Sequence, residues 1–564
     1  MDGNLQFSTV QSNRIAGYTP SGRIGIRTGR WTLTASGSGS FTPVAESRFT
    51  ETREQAGQPL PFAGRSDSKS RTNYGRGHFS AVFDPTPKHT AGFDIEYTER
   101  STHMPTLSRT TLGQTQSDSR YRQHMDGNTL TATANYIWKI DTLGSQFKLI
   151  ADYTRYTSDG DNSYHTTTCA PGTLRDSLYE SATGSVYDIL TADAGLTRKL
   201  PHGLTLRAGL RYTRNDMADK SRYAAQTQGT WLALPEYSYD QHYTEQIGAA
   251  YASLEYSAGR WELSAGLRGE YTSVASQAFG RSYFGLFPNV SVSRALNALR
   301  TWLLVAQWSR NIERPAFPAL NPARIRISDY SWQSGNPSLR PTYIHRFSLT
   351  AVWKYRYTLT VGGNLHHDLI REIAHRDETD PDAVYIRPEN HYTENHWFVA
   401  ASVPAKITRW WNLSVNAVGV MQRIRLNSTD SPATHYLMFA DATCSFTLPA
   451  GFFAEAAYRA QSRLYSGNSE VGPRHTLSAT VKKQLFDKRL TLFCTLSNIT
   501  GCDWEFASLT DGMRRTIDTR QAWSGRLWKV GAAWNFRTGK KFRARTVESA
   551  AETQRKRLVK STEQ

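Results

Sequence analysis

His366, His367 and Asp368 stand side by side, and imidazole with carboxylate is the usual vocabulary of a metal site. The residues around them alternate as in a strand, where neighbours point to opposite faces, so the two rings cannot share one ion without a bulge. Asp159-Gly-Asp-Asn162 gathers oxygen ligands, yet it lacks the later glycine and the bidentate glutamate of a calcium loop and reads as a surface turn. Cys169, Cys444, Cys494 and Cys502 are irregularly spaced for a zinc site or a disulfide framework. Extended chain would hold Cys494 and Cys502 about 25 Å apart, beyond disulfide reach. The sequence shows no phosphate-cradling loop, zinc-protease helix or nucleophile elbow. No catalytic set, metal or cofactor is therefore expected.

What could bind a solute falls into two sets. The first is the aromatic and basic equipment of long connections: Arg310, Arg314, Arg324, Arg326, Tyr330, Trp332, Arg340 and Trp504. The second is a polar row on one face of the strand patterns: Arg207, Arg211, Glu262, Arg268, Glu270, Arg346, Arg356 and His366. Taken singly, each residue also suits a solvated loop or a lumen ion pair. As sets they are better candidates, because binding residues concentrate on loops carried by a rigid scaffold.

The elements that must position them are strands. Trp261, Leu263, Ala265, Leu267 and Tyr271 alternate with Glu262, Ser264, Gly266, Arg268 and Glu270, so one face wants lipid and the other water. Phe347, Leu349, Ala351 and Trp353 repeat the pattern before a Lys354-Tyr355-Arg356 turn, as do Tyr357, Leu359, Val361, Gly363 and Leu365 after it. The Gly37-Ser-Gly-Ser40 run lies inside another such strand. About 22 patterns of this kind follow one another, a size class whose lumen is wide enough to need a plug. Short connections near Gly29, Pro201, Gly259 and Tyr355 alternate with long ones at 46–70, 101–119, 159–184, 215–240, 311–340 and 501–525. That alternation is the mark of an up-and-down membrane barrel, with short periplasmic turns and longer extracellular loops.

Leu286-Phe-Pro-Asn289, Arg310-Asn-Ile-Glu-Arg-Pro315, Leu320-Asn-Pro322 and Gly335-Asn-Pro-Ser-Leu-Arg-Pro341 together resemble the barrel domain of TonB-dependent outer-membrane receptors, of the β-barrel family abundant in Bacteroidetes. The resemblance extends over essentially the whole chain. It implies an all-β protein, a large antiparallel barrel in the outer membrane of a Gram-negative cell. It also implies import of a scarce solute, an iron chelate, cobalamin, glycan or peptide, with energy from the TonB complex. The expected partners are outer-membrane lipid, the solute, a plug domain, the TonB complex and the barrel-assembly machinery. The last strand, with Trp528, Val530, Ala532, Trp534 and Phe536 on one face, resembles the terminal signal read by that machinery.

Bulk composition agrees. Among 564 residues, 39% are hydrophobic and no run of about 18 apolar residues appears, which excludes transmembrane helices. The 15 Trp and 28 Tyr suit interfacial girdles. The formal charge of +18 is scattered through the strands instead of gathered in one stripe, so no nucleic-acid partner is expected. The expected organisation is a lead-in with a weak first strand at 1–22, the barrel at 23–536 and a solvated basic tail at 537–564. No leader or plug is visible before the first strand, so the plug is expected from elsewhere. A passive pore, a structural barrel or a barrel left without its plug is the rival reading, and a soluble basic β-protein a more distant one. Without a plug the lumen should conduct ions, unless long loops or the lead-in close it.

Overall fold

The computed structural model describes residues 1–55, 57–277, 280–378, 380–539 and 546–558, and its core is a closed antiparallel barrel of 22 strands. Closure is made by the strand Asp2–Gln11, which pairs with Ile15–Thr28 on one side and with Leu527–Arg537 on the other. Leu5 faces Gly22 in the first ladder and Trp534 in the second. The Met1 ammonium donates to the Thr538 carbonyl at 2.9 Å. The boundary expected at residue 22 thus falls inside a strand, and the lead-in is part of the wall. Its alternation is weak because Gly, Ser and Thr occupy many of its places, while the ladder satisfies its backbone regardless of side chain.

Inside-outside phase follows the sequence pattern. Trp261, Leu263, Leu267 and Tyr271 project outward into the lipid band, and Glu270 is buried on the opposite face. Inward faces carry hydroxyl pairs across adjacent strands, such as Thr131 with Thr154 and Thr191 with Thr213, which satisfy polar groups that water reaches poorly. The Ala258–Trp261 hairpin turns through Gly259 at φ +57°, where a side chain would be strained.

Four connections expected to be loops are paired ribbon instead. Ladders continue to Gln55–Gln58, Leu112–Thr115, Ala170–Thr173 and Thr227–Thr230. Above the lipid the outer face of a ribbon meets water, while the inner face is buried largely behind hydroxyl side chains such as Ser117, Ser119 and Thr166, so apolar alternation vanishes while backbone pairing persists. One side of the wall is consequently tall, with Gln58–Thr86 running 29 residues, and the other low, with Leu490–Ser497 running 8. A separate hairpin, Trp504–Thr510 with Met513–Arg520, joins the tall side through Thr50–Asp518 pairing.

The expected solvated tail is also revised. Residues 546–558 lie inside the lumen, with Ala550, Ala551 and Arg557 buried, because their polar groups find partners on the wall. Lys540, Lys541, Arg543, Arg545, Lys560 and Glu563 of that tail lie outside the described residues.

Candidate functional site

The connection 314–341 folds down into the mouth of the barrel. Its prolines 315, 318, 322, 337 and 341 cannot donate to a ladder, so the segment leaves the wall between Trp302–Glu313 and Thr342–Trp353. A single helical turn, Phe317–Leu320, begins with proline near its first position. Phe317, Leu320 and Leu339 are buried against Tyr187, Ile189, Met217, Tyr243 and Val274, inward-facing residues of four neighbouring strands. Phe317 meets the Tyr187 ring edge-on at 5.7 Å.

Charge and backbone contacts fix the same loop. Arg314 donates to Glu270 at 2.7 Å and to Thr272 at 2.9 Å, with Glu245 3.9 Å away. In Gly335-Asn-Pro-Ser-Leu-Arg-Pro341, Asn336 donates its backbone N–H to Ala319 at 2.7 Å and its amide to the Pro388 carbonyl at 3.0 Å. Gly335 approaches the Asn321 carbonyl so closely that a Cβ would sit 2.1 Å from it. Arg340 bonds Asp368 at 2.6 Å. These motif residues therefore dock the loop.

Above the buried turn, the loop forms a small hairpin, Ile325–Ser328 with Ser331–Gln333, whose second strand runs parallel to residues 384–386. Here rings and guanidinium groups interleave. Trp332 stacks on Tyr237 with planes 3° apart. Arg324 lies 5.5 Å from the Tyr237 ring, and Arg326 lies 5.2 Å from Trp332 and 5.5 Å from Tyr179. Arg326 also bonds Asp329 at 2.7 Å, and Asp329 accepts from Ser119, Tyr121 and Thr166 of the wall. The Tyr223 hydroxyl donates to the Arg324 carbonyl. Burial pushes that phenol up to about 12, so it stays a donor at any working pH.

A cavity of about 570 Å³ lies beside the loop, lined by Arg314, Asn321, Gln333, His366, Arg371 and Glu372 among others. Arg371 pairs with the fully buried Glu394 at 2.9 Å, and His366 Nδ1 donates to the Glu394 carbonyl at 2.8 Å. His366 packs near His396 while His367 packs near Tyr392, as opposite faces require. Among the described residues no group of three His, Cys, Asp or Glu side chains has metal-binding geometry, and all four cysteines are free.

Of the sixteen candidates, Arg314, Arg324, Arg326, Tyr330 and Trp332 gather in this loop, with Glu270 bonded to Arg314 and His366 lining the cavity beside it. Tyr330 meets the Phe62 ring at 5.9 Å. Arg310 sits at the base, donating to the Leu286 carbonyl at 3.0 Å, and Arg340 borders the loop's end. The others are scattered. Trp504 lies across the mouth under Arg474, Arg207 pairs with Glu255 near a short turn, Arg268 bonds Glu270 on the wall, and Arg346 is exposed on the wall with its backbone opposite Asn364. Tyr237, Glu245, Arg371, Glu394 and Arg557 escaped the sequence reading. Only Glu245 left a signal, as an acid in the inward row between Tyr243 and Ile247.

A closed wall with a lipid-facing apolar band, an aromatic-rich rim and a loop folded into its mouth defines an outer-membrane β-barrel. The chain belongs to the outer membrane protein beta-barrel family, whose model matches residues 138–534, and the outer membrane is its location. No curated protein sequence matches it. Its fold is shared with solved receptors. The siderophore receptor PirA from Pseudomonas aeruginosa is 13% identical, with a TM-score of 0.57 over 95% of this chain and 80% of that one. A variant of the ferric enterobactin receptor PfeA from Pseudomonas aeruginosa is 14% identical, with a TM-score of 0.60 over the same shares, 95% and 80%. The alcaligin outer-membrane receptor FauA from Bordetella pertussis is 14% identical, with a TM-score of 0.53 over 95% and 76%.

Proposed function

We propose that this chain is the barrel of a TonB-dependent importer, a non-enzymatic receptor that captures a scarce solute at its outer mouth and passes it inward once a plug domain and the TonB complex engage. The observation that carries this reading is the 22-strand closed wall with the 314–341 loop folded into its mouth. A passive pore of this circumference would leave its lumen open.

Among iron chelates, cobalamin, glycans and peptides, the interleaved stack of Arg324, Tyr237, Trp332 and Arg326 supports a flat anionic chelate. The exposed Arg324 guanidinium pairs with anionic oxygens while Arg326, held by Asp329, steadies Trp332, whose ring and that of Tyr237 stack on the chelate's planar parts. The chain, co-produced with a plug domain, should restore uptake of a labelled ferric catecholate to receptor-deficient cells only when TonB is present, and Arg324→Ala with Trp332→Ala should weaken it. Uptake that persists without TonB would establish the passive pore instead.

A further inference from the structure

Residues 546–558 climb the inner wall from one end of the barrel to the inserted loop. Near the short-turn end, a Cβ added at Gly92 would lie 2.9 Å from Val547, and Lys148 pairs with Glu548. Higher up, the Ala550 amide donates to Asp152 at 2.7 Å. Gln554 accepts from Asn215 at 3.3 Å. At the top, Arg557 pairs with Glu245 at 2.5 Å, donates to the Pro315 carbonyl at 2.9 Å and lies 4.2 Å above the Phe317 ring.

The positions of Asp152, Asn215 and Glu245 rise in step with their partners along the segment. Asp152 and Asn215 are polar residues buried on inward faces, where an unpaired charge or amide would be costly. Thr133 already donates to Asp152 and Asn215 to Glu245, and the segment adds a second partner to each: a backbone donor for Asp152, the Gln554 side-chain oxygen for Asn215 and a guanidinium for Glu245. Arg557 and Arg314 converge on Glu245, so the same contact that ends the segment also holds the inserted loop.

We propose that the inner wall bearing Asp152, Asn215 and Glu245 is a docking groove for the chain's own segment 546–558, and that this segment, keyed by Arg557, narrows the lumen beneath the inserted loop. The groove recognises a short peptide through a buried arginine, the Gln554 side chain and the Ala550 amide. Any other occupant of the lumen, a plug domain included, must first displace it. The inference rests on this chain's internal contacts and stands whether or not the importer reading does.

The test compares the full chain with a chain truncated after Gly539, both refolded into planar bilayers and checked for heat-modifiable gel migration. The truncated barrel should conduct several-fold more than the full chain. A synthetic peptide of residues 546–558, added from the short-turn side, should block it, and the same peptide carrying Arg557→Ala should block about tenfold less well. Arg557→Ala in the full chain leaves every wall residue in place and should raise conductance as well, which keeps the test open if truncation prevents assembly. Equal conductance of full and altered chains, or a peptide block indifferent to Arg557, would overturn the proposal. Block by the peptide only from the opposite side would overturn the direction of entry and with it the groove.

Discussion

Replacing Arg314 with alanine should free the inserted loop while leaving the barrel intact. Arg314 is 9% exposed, and its partners Glu270 and Glu245 are 8% and 2% exposed. Breaking a buried pair by removing one partner costs about 3–5 kcal/mol, because an uncompensated charge is left behind. Two features pull the figure to the lower end: Glu270 keeps Arg268, and Glu245 keeps Arg557. A loss of about 3 kcal/mol multiplies the loop's opening equilibrium by roughly 100. The reporter is the backbone N–H of Asn336, which donates to Ala319 only while the loop is docked. In detergent-refolded protein its hydrogen exchange should accelerate by roughly that factor, with protection of the Leu206–Leu254 wall ladder unchanged. Arg324→Ala, which removes an exposed guanidinium, is the control and should leave Asn336 protected. Unaltered exchange at Asn336 in Arg314→Ala would refute the argument that this ion pair holds the loop, and faster exchange throughout the wall would show that the loop is not a separate opening unit.

Leu263→Arg should lower the yield of heat-modifiable barrel, since a cation in the lipid-facing band costs about 2–4 kcal/mol at mid-bilayer. Ser264→Arg, on the inward face, should assemble, and equal loss would reverse the assigned phase. A reporter peptide inserted at Gly113, at the tip of a tall hairpin, should be labelled on intact cells, and one at Gly259 should not; labelling of both would overturn the orientation. In the Glu51 cluster above the lipid band, burial alone would raise the carboxyl, but Arg515 and Arg53 outweigh it and hold it below the ordinary 4.5. A depressed carboxyl contributes its stability fully above the ordinary value and loses it as pH falls through the lowered one. Proteolysis of the 504–520 hairpin should therefore stay slow at and above pH 4.5 and quicken only in stronger acid, whereas Glu51→Gln should nick readily at neutral pH; a native hairpin equally labile across that range would contradict the pairing.

Where lipid lies on one side and water on the other, the sequence announces itself. The Trp261–Tyr271 strand needs no tertiary information to be placed, because each residue type is dictated by the solvent it meets. The same chain becomes opaque above the lipid, where charged residues, Ser, Thr and Gly fill most places on both faces of the ribbons between Thr42 and Thr72. There backbone pairing and scattered ion pairs such as Glu51 with Arg53 keep the structure, and neither leaves a periodic trace in side-chain type. The candidate site was legible as a set, since prolines mark the connection that leaves the wall and its arginines and rings stand out. Individual roles were not. Arg314 reads like Arg324 in sequence, but acids from two other strands bury one and leave the other exposed. Arg557 was the least legible residue, surrounded by basic neighbours and paired with an acid 312 positions away.

The unequal height of the wall gives the protein a front and a back. Ribbons of 24 to 29 residues stand shoulder to shoulder from Trp31 to Thr227, whereas strands of 8 to 16 residues close the circle from Trp411 onward. The tall ribbons make a windbreak, and the lee it shelters holds the Trp332 stack. The low side is not bare, since the hairpins at 464–471 and 504–520 pair with each other and with Trp31–Gln55; on the importer reading, a solute meets these short hairpins on one side and the tall polar ribbons on the other. On the same reading, anything bulky that settles on the cell surface around this barrel, from sugar chains to an antibody, would obstruct it according to which side it takes.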